Sequence, residues 1–304
     1  MNRNLPADDD TSGPTPRSQR DDAAKDVRRV ALVTGGSAGL GQVIASELID
    51  EGYRVVIVGR SVDRLADARE RLCRRVGRHR SADNAEPRVI DFACSVTVAE
   101  EVESLRQFLV ERVGRLDVLV NVVGQSDRGL AIDLTSQQAH AALDVNVVSA
   151  MNCARILYPL LRQTRGHIIN IGSLASKVSA RYLGSYPLSK HALAGWTGQL
   201  RLEAKEHGIH VGLICPGPIR RDDAGERYEQ LGGEGVPDHA KQPAGGARLK
   251  GLDPQSVARA VSRCIDRRRA EVILPRRVRL LIVLQSVSPG LADRLIVRMT
   301  SGKN

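Results

Sequence analysis

The sequence is poor in aromatic residues, has few cysteines and contains no long apolar run. Aromatic residues make up 3% of the 304 residues, so a core must be largely aliphatic. The five cysteines are scattered, with no Cys-x-x-Cys pair and an odd total, which argues against a disulfide framework and against a zinc site. No stretch reaches the ~18 apolar residues of a spanning helix. Residues 1–27 lack the apolar region of a signal peptide, so we expect a disordered extension on a cytoplasmic protein.

Positive charge exceeds negative charge, but unevenly along the chain. The formal net charge is +10, and residues 262–304 carry ten basic side chains against three acids. The excess therefore belongs mainly to one segment, and this distribution argues against a nucleic-acid partner.

Between residues 28 and 275 short apolar runs alternate with longer amphipathic stretches, as in βαβ units. We expect strands at 29–33, 54–58, 87–91, 117–121, 167–171, 210–214 and 271–274. Helices are expected at 40–51, 62–76, 98–113, 136–163, 186–207 and 253–268. This pattern predicts one α/β domain with a doubly wound parallel sheet and helices on both faces. Residues 220–252 interrupt it with many glycines and prolines, which is typical of a substrate-covering loop.

A glycine-rich turn, Thr34-Gly35-Gly36-Ser37-Ala38-Gly39-Leu40-Gly41, follows the first predicted strand and opens a helix. Glycines let the backbone approach a pyrophosphate, and the helix amino terminus presents free N–H groups to it. Similar turns also bind flavin, phosphate or S-adenosylmethionine.

The spacing of Gly35, Gly39 and Gly41 after Thr34 resembles the short-chain dehydrogenase/reductase family, and the resemblance covers roughly residues 28–275. It continues at Asp91, Asn121-Val122-Val123-Gly124, Asn146, Ser173, Tyr186-Pro187-Leu188-Ser189-Lys190 and Pro216-Gly217. The resemblance implies a seven-stranded Rossmann fold, a small-molecule carbonyl or alcohol substrate, and a homo-oligomer, either a dimer or a tetramer. The cofactor-binding residues it implies are Thr34, Gly35, Ser37, Gly39, Leu40, Gly41, Arg60, Ser61, Asp91, Phe92, Asn121, Tyr186, Lys190, Pro216, Gly217 and Ile219.

The residues after the second strand bear on the choice of cofactor. Proteins that bind NAD place an acid there to bond the ribose hydroxyls, whereas this chain has Arg60 and Ser61. A 2′-phosphate could pair with the guanidinium and the hydroxyl. We therefore expect NADP(H) to be favoured over NAD(H), although Arg60 alone could be a solvated charge.

Tyr186 and Lys190 are the candidate catalytic pair. Hydride transfer to a carbonyl leaves an alkoxide that must be protonated, and a phenol with a reference pKa of ~10 needs a nearby positive charge to do this near neutrality. Lys190 shares a helix face with Tyr186, one turn away. By resemblance Ser173 polarises the substrate carbonyl, and Asn146, in mid-helix, holds a water that links Lys190 to solvent. Ser173 could instead cap a turn.

Residues 276–304 extend beyond the family's minimal fold. Two short apolar segments, broken at Ser288-Pro289-Gly290 and flanked by arginines, suit an amphipathic hairpin at an anionic membrane surface through residues 276–299. Packing on the domain or on a second subunit is the alternative. We thus expect an NADPH-dependent oxidoreductase acting on a carbonyl, with a hydrophobic or lipid-like substrate. The rival hypothesis is a non-catalytic NADP(H)-binding sensor or scaffold that uses this segment to engage a partner.

Overall fold

The computed structural model describes residues 28–76, 87–220, 236–237, 240 and 250–301. The strands are β1 (Val30–Thr34), β2 (Arg54–Gly59), β3 (Val89–Ala93), β4 (Val118–Asn121), β5 (His167–Ile171), β6 (His210–Pro216) and β7 (Glu271–Leu274). The α-helices are α1 (Gly39–Asp50), α2 (Val62–Val76), α3 (Ala99–Arg112), α4 (Ser136–Leu143), α5 (Ser149–Thr164), α6 (Tyr186–Ala204), α7 (Pro254–Asp266), α8 (Val278–Val287) and α9 (Pro289–Thr300). The predicted extension 1–27 lies outside the described residues.

All seven strands pair in parallel, in the order β3-β2-β1-β4-β5-β6-β7. Strand β1, the third of the seven, is buried along its whole length, as expected for an apolar strand covered on both sides. Strand order reverses between β1 and β4, and ligands of open α/β sheets bind at the carboxyl ends of the strands beside such a reversal. The predicted doubly wound Rossmann sheet is confirmed.

Helices cover both faces of the sheet, because alternate residues of each strand point to opposite sides. Ala31 and Val33 belong to one apolar cluster, which contains residues of α1, α2 and α7. Val30 and Leu32 belong to the other, built with residues of α3, α5 and α6. Two aliphatic layers therefore hold the sheet rigid beneath its carboxyl edge.

The structure corrects two predicted elements. The third strand runs over 89–93 and not 87–91, so Asp91 lies inside it and does not follow it. The single helix predicted at 136–163 is divided into α4 and α5 by a π-helical turn at Asp144–Val148. Such turns often occur at functional sites, and Asn146 lies in this one.

The predicted loop 220–252 begins and ends at the carboxyl edge of the sheet, where Ile219 and Leu252 form an isolated bridge. Most of the loop lies outside the described residues, but Ala240 is buried and its carbonyl accepts a bond of 3.1 Å from Arg128 Nε. Beyond β7, α8 and α9 form a helical hairpin, here called the C-terminal hairpin. Within the described chain, every helix is too short or too polar to cross a bilayer.

Candidate active site

A cleft of about 1550 Å³ opens at the carboxyl ends of the strands. This exceeds the roughly 300–1,000 Å³ of a typical small-molecule pocket. Its lining includes residues 37–43, 58–61, 94–97, 122–126, 171–175 and 216–220. Among the described lining residues there is no Asp or Glu. The cationic lining residues are Arg60, Arg64, Arg128, Lys190 and Arg220. The cleft therefore suits a polyanionic ligand.

The glycine turn forms one wall of this cleft. Gly35 and Gly39 have φ angles of +66° and +53°, a left-handed conformation that glycine adopts at little cost. A Cβ on Gly41 would collide with the carbonyl oxygen of Gly35, so only glycine lets α1 begin this close to the turn. The first turn of α1 carries no acid, and its free N–H groups are ready to bind a pyrophosphate. The turn therefore fits a dinucleotide cofactor.

Two arginines of the segment after β2 also line the cleft. Arg60 and Ser61, which the sequence predicts to bind a 2′-phosphate, line the cleft, and Arg64 lines it as well. Ser61 Oγ accepts a long bond of 3.4 Å from Arg64 N, so Ser61 also caps α2. Sequence reasoning missed Arg64, although it lies in the first turn of α2, three residues after Ser61.

Four residues predicted to bind cofactor do not line the cleft. Asp91 pairs with Arg69 at 3.3 Å, and Phe92 packs against Phe108 with ring centroids 5.0 Å apart. The residues that reach the cleft here are Cys94, Ser95, Val96 and Thr97, beyond the true end of β3. The resemblance implies that Asp91 follows the third strand, whereas it lies inside β3.

The other two, Thr34 and Asn121, are buried supports of the site. Thr34 Oγ1 accepts bonds from the N–H groups of Val122 at 3.0 Å and Val123 at 3.3 Å. Asn121 Nδ2 donates to Asn170 Oδ1 at 2.8 Å. These contacts fix the loop after β4 against the glycine turn and against β5.

The structure brings Ser173, Tyr186 and Lys190 together in the cleft. Lys190 is 3% exposed, donates from Nζ to Ile171 O at 3.0 Å, and lies 5.8 Å from the centroid of the Tyr186 ring. Burial lowers the pKa of Lys190 to about 8, so the ammonium is still protonated at neutral pH. Ser173 Oγ accepts a bond of 3.1 Å from Ala175 N and caps a short 3₁₀ turn, while its O–H can still donate.

Asn146 stands behind this group and does not line the cleft. Its Oδ1 accepts from Gln125 N at 2.8 Å, and its Nδ2 donates to Gln125 O at 2.9 Å and to Ser189 Oγ at 3.0 Å. A Cβ added to Gly124 would lie 2.9 Å from Asn146 Oδ1 and 3.2 Å from Lys190 Nζ. The glycine that ends Asn121-Val122-Val123-Gly124 therefore leaves the space in which the asparagine and lysine side chains meet.

The opposite wall comes from β6 and the C-terminal hairpin. Pro216, Gly217 and Ile219, which the resemblance implies bind the cofactor, line the cleft. The hairpin contributes Val278, Leu281, Ile296, Met299 and Thr300 to the same lining. Arg181 Nη2 also donates to Ser301 Oγ at 3.1 Å, which joins the end of the hairpin to the loop before Tyr186. The hairpin thus packs on the domain.

Among the described residues, no group of three or more His, Cys, Asp or Glu side chains could hold a metal ion.

Comparison with known proteins identifies the family. The family model for short chain dehydrogenases matches residues 29–231. The short-chain reductase protein NovJ of Streptomyces niveus is 32% identical over 221 residues, which cover 72% of this chain and 80% of NovJ. The ketoacyl reductase HetN of a Nostoc strain is 29% identical over 275 residues, 88% of each chain. The structure of L-sorbose reductase from Gluconobacter frateurii, complexed with NADPH and L-sorbose, matches with a TM-score of 0.69 and 25% identity over 81% of this chain and 95% of that one.

The family match, the parallel sheet and the glycine turn agree with one another. The rival hypothesis of a non-catalytic sensor or scaffold is not needed to account for any of them. This chain belongs to the short-chain dehydrogenase/reductase family and is an NAD(P)-dependent oxidoreductase that acts on CH–OH or C=O groups.

Proposed function

We propose that this oxidoreductase uses NADPH to reduce a hydrophobic or lipid-like carbonyl, with Tyr186 as the general acid. The observation that carries the proposal is that Ser173, Tyr186 and Lys190 line the same cleft as the glycine turn. The reverse oxidation uses the same groups, and the cellular ratio of the cofactor forms sets the direction.

The roles of the side chains follow from the charge that develops during reduction. The nicotinamide, when bound, supplies the hydride to the carbonyl carbon. The Ser173 hydroxyl donates a hydrogen bond to the carbonyl oxygen, and the Tyr186 phenol gives that oxygen its proton. The buried Lys190 ammonium stabilises the phenolate that remains. Asn146 holds Gln125 and Ser189 in place around the lysine, and it is also the proposed site of a water that returns the proton from solvent.

The Tyr186→Phe variant tests this assignment. It should lose at least ~10³-fold in kcat, since the proton donor is removed, while NADPH affinity stays within twofold. Tyr158→Phe is the matched control, because Tyr158 bonds His207 at 3.0 Å, outside the cleft lining. Activity retained in Tyr186→Phe would overturn the assignment.

The preference for NADPH is proposed from the cations after β2. Arg60, Ser61 and Arg64 line the cleft, whose described lining includes no acid to repel a 2′-phosphate. Arg60→Glu should therefore shift the ratio of kcat/KM for NADPH over NADH by ~100-fold towards NADH. Arg71→Glu makes the same charge change on α2 at an exposed position outside the cleft lining and should leave the ratio unchanged. An unaltered ratio in Arg60→Glu would refute the phosphate-binding role.

A hydrophobic substrate is proposed from the apolar side chains around the catalytic group. Those lining residues are Leu174, Ala175, Val178, Leu183, Leu281, Ile296 and Met299. Each buried methylene of a substrate chain contributes ~0.8 kcal/mol, so kcat/KM should rise with chain length across a series of straight-chain aldehydes. A flat response from propanal to decanal would contradict this substrate class.

Peripheral contact with an anionic membrane is proposed for the outer face of the C-terminal hairpin, on an otherwise cytoplasmic protein. Leu280 is 78% exposed and Val287 is 79% exposed. The hairpin and the residues just before it carry Arg276, Arg277, Arg279, Arg294 and Arg298 against Asp293. Exposed apolar side chains beside arginines favour binding at the surface of an anionic bilayer.

Sedimentation with vesicles tests the membrane contact. Phosphatidylglycerol vesicles should bind the protein and phosphatidylcholine vesicles should not, and Leu280→Glu should weaken binding at least fivefold. Leu202→Glu is the control, since Leu202 is 73% exposed on α6, away from the hairpin. Equal binding by both variants would contradict the proposal. Assembly into a dimer or tetramer stays a prediction, which light scattering would check.

A further inference from the structure

The helix that begins with Tyr186 is capped by a residue from another part of the chain. Ser185, at the N-cap position of α6, makes no capping bond with its own side chain. Instead Asp127, in the loop after β4, accepts from Ser185 N at 3.0 Å and from Ser185 Oγ at 2.7 Å through Oδ2. Its Oδ1 accepts from Tyr186 N at 3.1 Å. A carboxylate here meets the orphan N–H groups and the positive end of the helix dipole.

Glycines before α6 and in the loop after β4 leave room for the Asp127 carboxylate beside the start of the helix. Gly184 has a φ angle of +51°, and a Cβ there would lie 2.7 Å from Asp127 Oδ2. Gly129 N donates to Tyr182 O at 3.3 Å, and Gly184 N donates to Gly129 O at 3.2 Å. Two glycines thus join the loop after β4 directly to the loop that leads into α6.

The other end of the loop after β4 is held at the catalytic lysine. Asn146 binds the N–H and the carbonyl of Gln125, and Gly124 lies against Lys190 Nζ. The loop after β4 is therefore attached at two points: beside Lys190 through Asn146, and at the first residue of α6, Tyr186, through Asp127.

We propose that Asp127 is a positioning residue, which holds the main chain at Tyr186 so that the phenol meets the substrate oxygen. This inference rests on the proposed role of Tyr186. Tyr186 N also donates to Leu183 O at 3.1 Å. If the carboxylate is removed, this bond still holds the first residue of α6, but less firmly. Because a displacement of ~1 Å can cost ~100-fold in rate, we expect a defect in kcat and not in binding.

The test compares Asp127→Asn with Ser185→Ala. The asparagine keeps the shape but replaces one acceptor oxygen with an NH2 group, which only donates. Ser185 N and Tyr186 N bond different oxygens of Asp127, so in this geometry one of them loses its acceptor. We expect kcat to fall about 10-fold, with the Kd for NADPH and the KM for the best aldehyde of the series within twofold. Ser185→Ala removes only the hydroxyl donor and should keep at least half of kcat. Unchanged kcat in Asp127→Asn, measured well below its Tm, would overturn the proposal, even if Tm has fallen.

A second variant keeps the test decisive if Asp127→Asn does not fold. Gly184→Ala displaces the carboxylate while leaving it in the chain, and it should show the same loss of kcat with NADPH affinity unchanged. A loss of affinity equal to the loss of kcat would indicate general disorder and count against positioning. Tyr186→Phe is measured in parallel. If Tyr186→Phe is active, the proposed function is wrong. If Tyr186→Phe is inactive but Asp127→Asn is fully active, only the proposed role of Asp127 is wrong.

Discussion

Acid should destabilise this protein through a pair of histidines at the end of the sheet opposite the cleft. His167 and His210 are register partners at the starts of β5 and β6, with their Nδ1 atoms 3.1 Å apart. His210 Nε2 lies 2.9 Å from Arg269 O, and a carbonyl can only accept, so Nε2 carries the proton of neutral His210. His210 Nδ1 then accepts from His167 Nδ1–H. Protonating the pair would make both facing atoms donors.

The charged groups around the pair add to this effect. The pKa of His167 is lowered to about 4, chiefly by burial. His210, Arg268 and Arg29 contribute to this lowering, and the charge of Asp117 opposes it. Burial also lowers the pKa of His210. Both groups therefore stay neutral in the folded state at pH values where an unfolded chain is already protonated.

The sign and size of the effect follow from linkage. A lowered folded-state pKa contributes stability that is present above pH 6.5 and is lost as the pH falls from there towards 4. One unit of pKa shift corresponds to ~1.4 kcal/mol, so His167 alone should reduce the free energy of unfolding by about 2 kcal/mol between pH 7 and pH 5.

Urea denaturation at a series of pH values measures this loss. His167→Asn keeps a side-chain donor for His210 but cannot titrate, so its unfolding free energy should fall by about 2 kcal/mol less over the same range. His140→Asn, at an exposed position on α4, should follow the unmodified protein. If His167→Asn shows the same pH dependence as the unmodified protein, the histidine pair is not the source of acid sensitivity.

Three further substitutions probe the cleft. Gly41→Ala should raise the Kd for NADPH at least ~10-fold in a fluorescence titration, because the new Cβ collides with Gly35 O; unchanged affinity would contradict the close approach. Gly124→Ala should lower kcat by ~100-fold in steady-state assays, since its Cβ would lie 2.9 Å from Asn146 Oδ1, and full activity would contradict the need for this space. Met299→Trp should reduce kcat/KM for decanal at least ~10-fold more than for propanal by filling the cleft; equal losses would exclude the hairpin from the substrate site.

Much of the fold, and the choice of candidate catalytic residues, can be predicted from the sequence because their signals are local. The glycine turn is a contiguous run, and Tyr186 and Lys190 are one helical turn apart, so neither needs long-range information. Apolar runs also located all seven strands within two residues. The error at β3 arose where a polar residue, Asp91, stands inside a strand and was taken for its end.

Contacts between distant segments could not be predicted in the same way. Asp127 reaches Tyr186 across 59 positions in the sequence, and no spacing rule connects them. The π-helical turn around Asn146 depends on packing against the loop after β4, since its residues read as ordinary helix. The hairpin is apolar on both its inner and outer faces, so periodicity alone could not show which side would meet the domain.

The position of the C-terminal hairpin has a consequence for how new selectivity can arise in this scaffold. The proposed chemistry uses residues between Gly35 and Lys190, whereas one side of the cleft comes from Val278 to Thr300, which is a single contiguous segment. Replacing that segment with the corresponding segment of a relative would change this entire side of the cleft in one step. The choice of molecule could then diversify by recombination while the proton-transfer machinery is inherited intact.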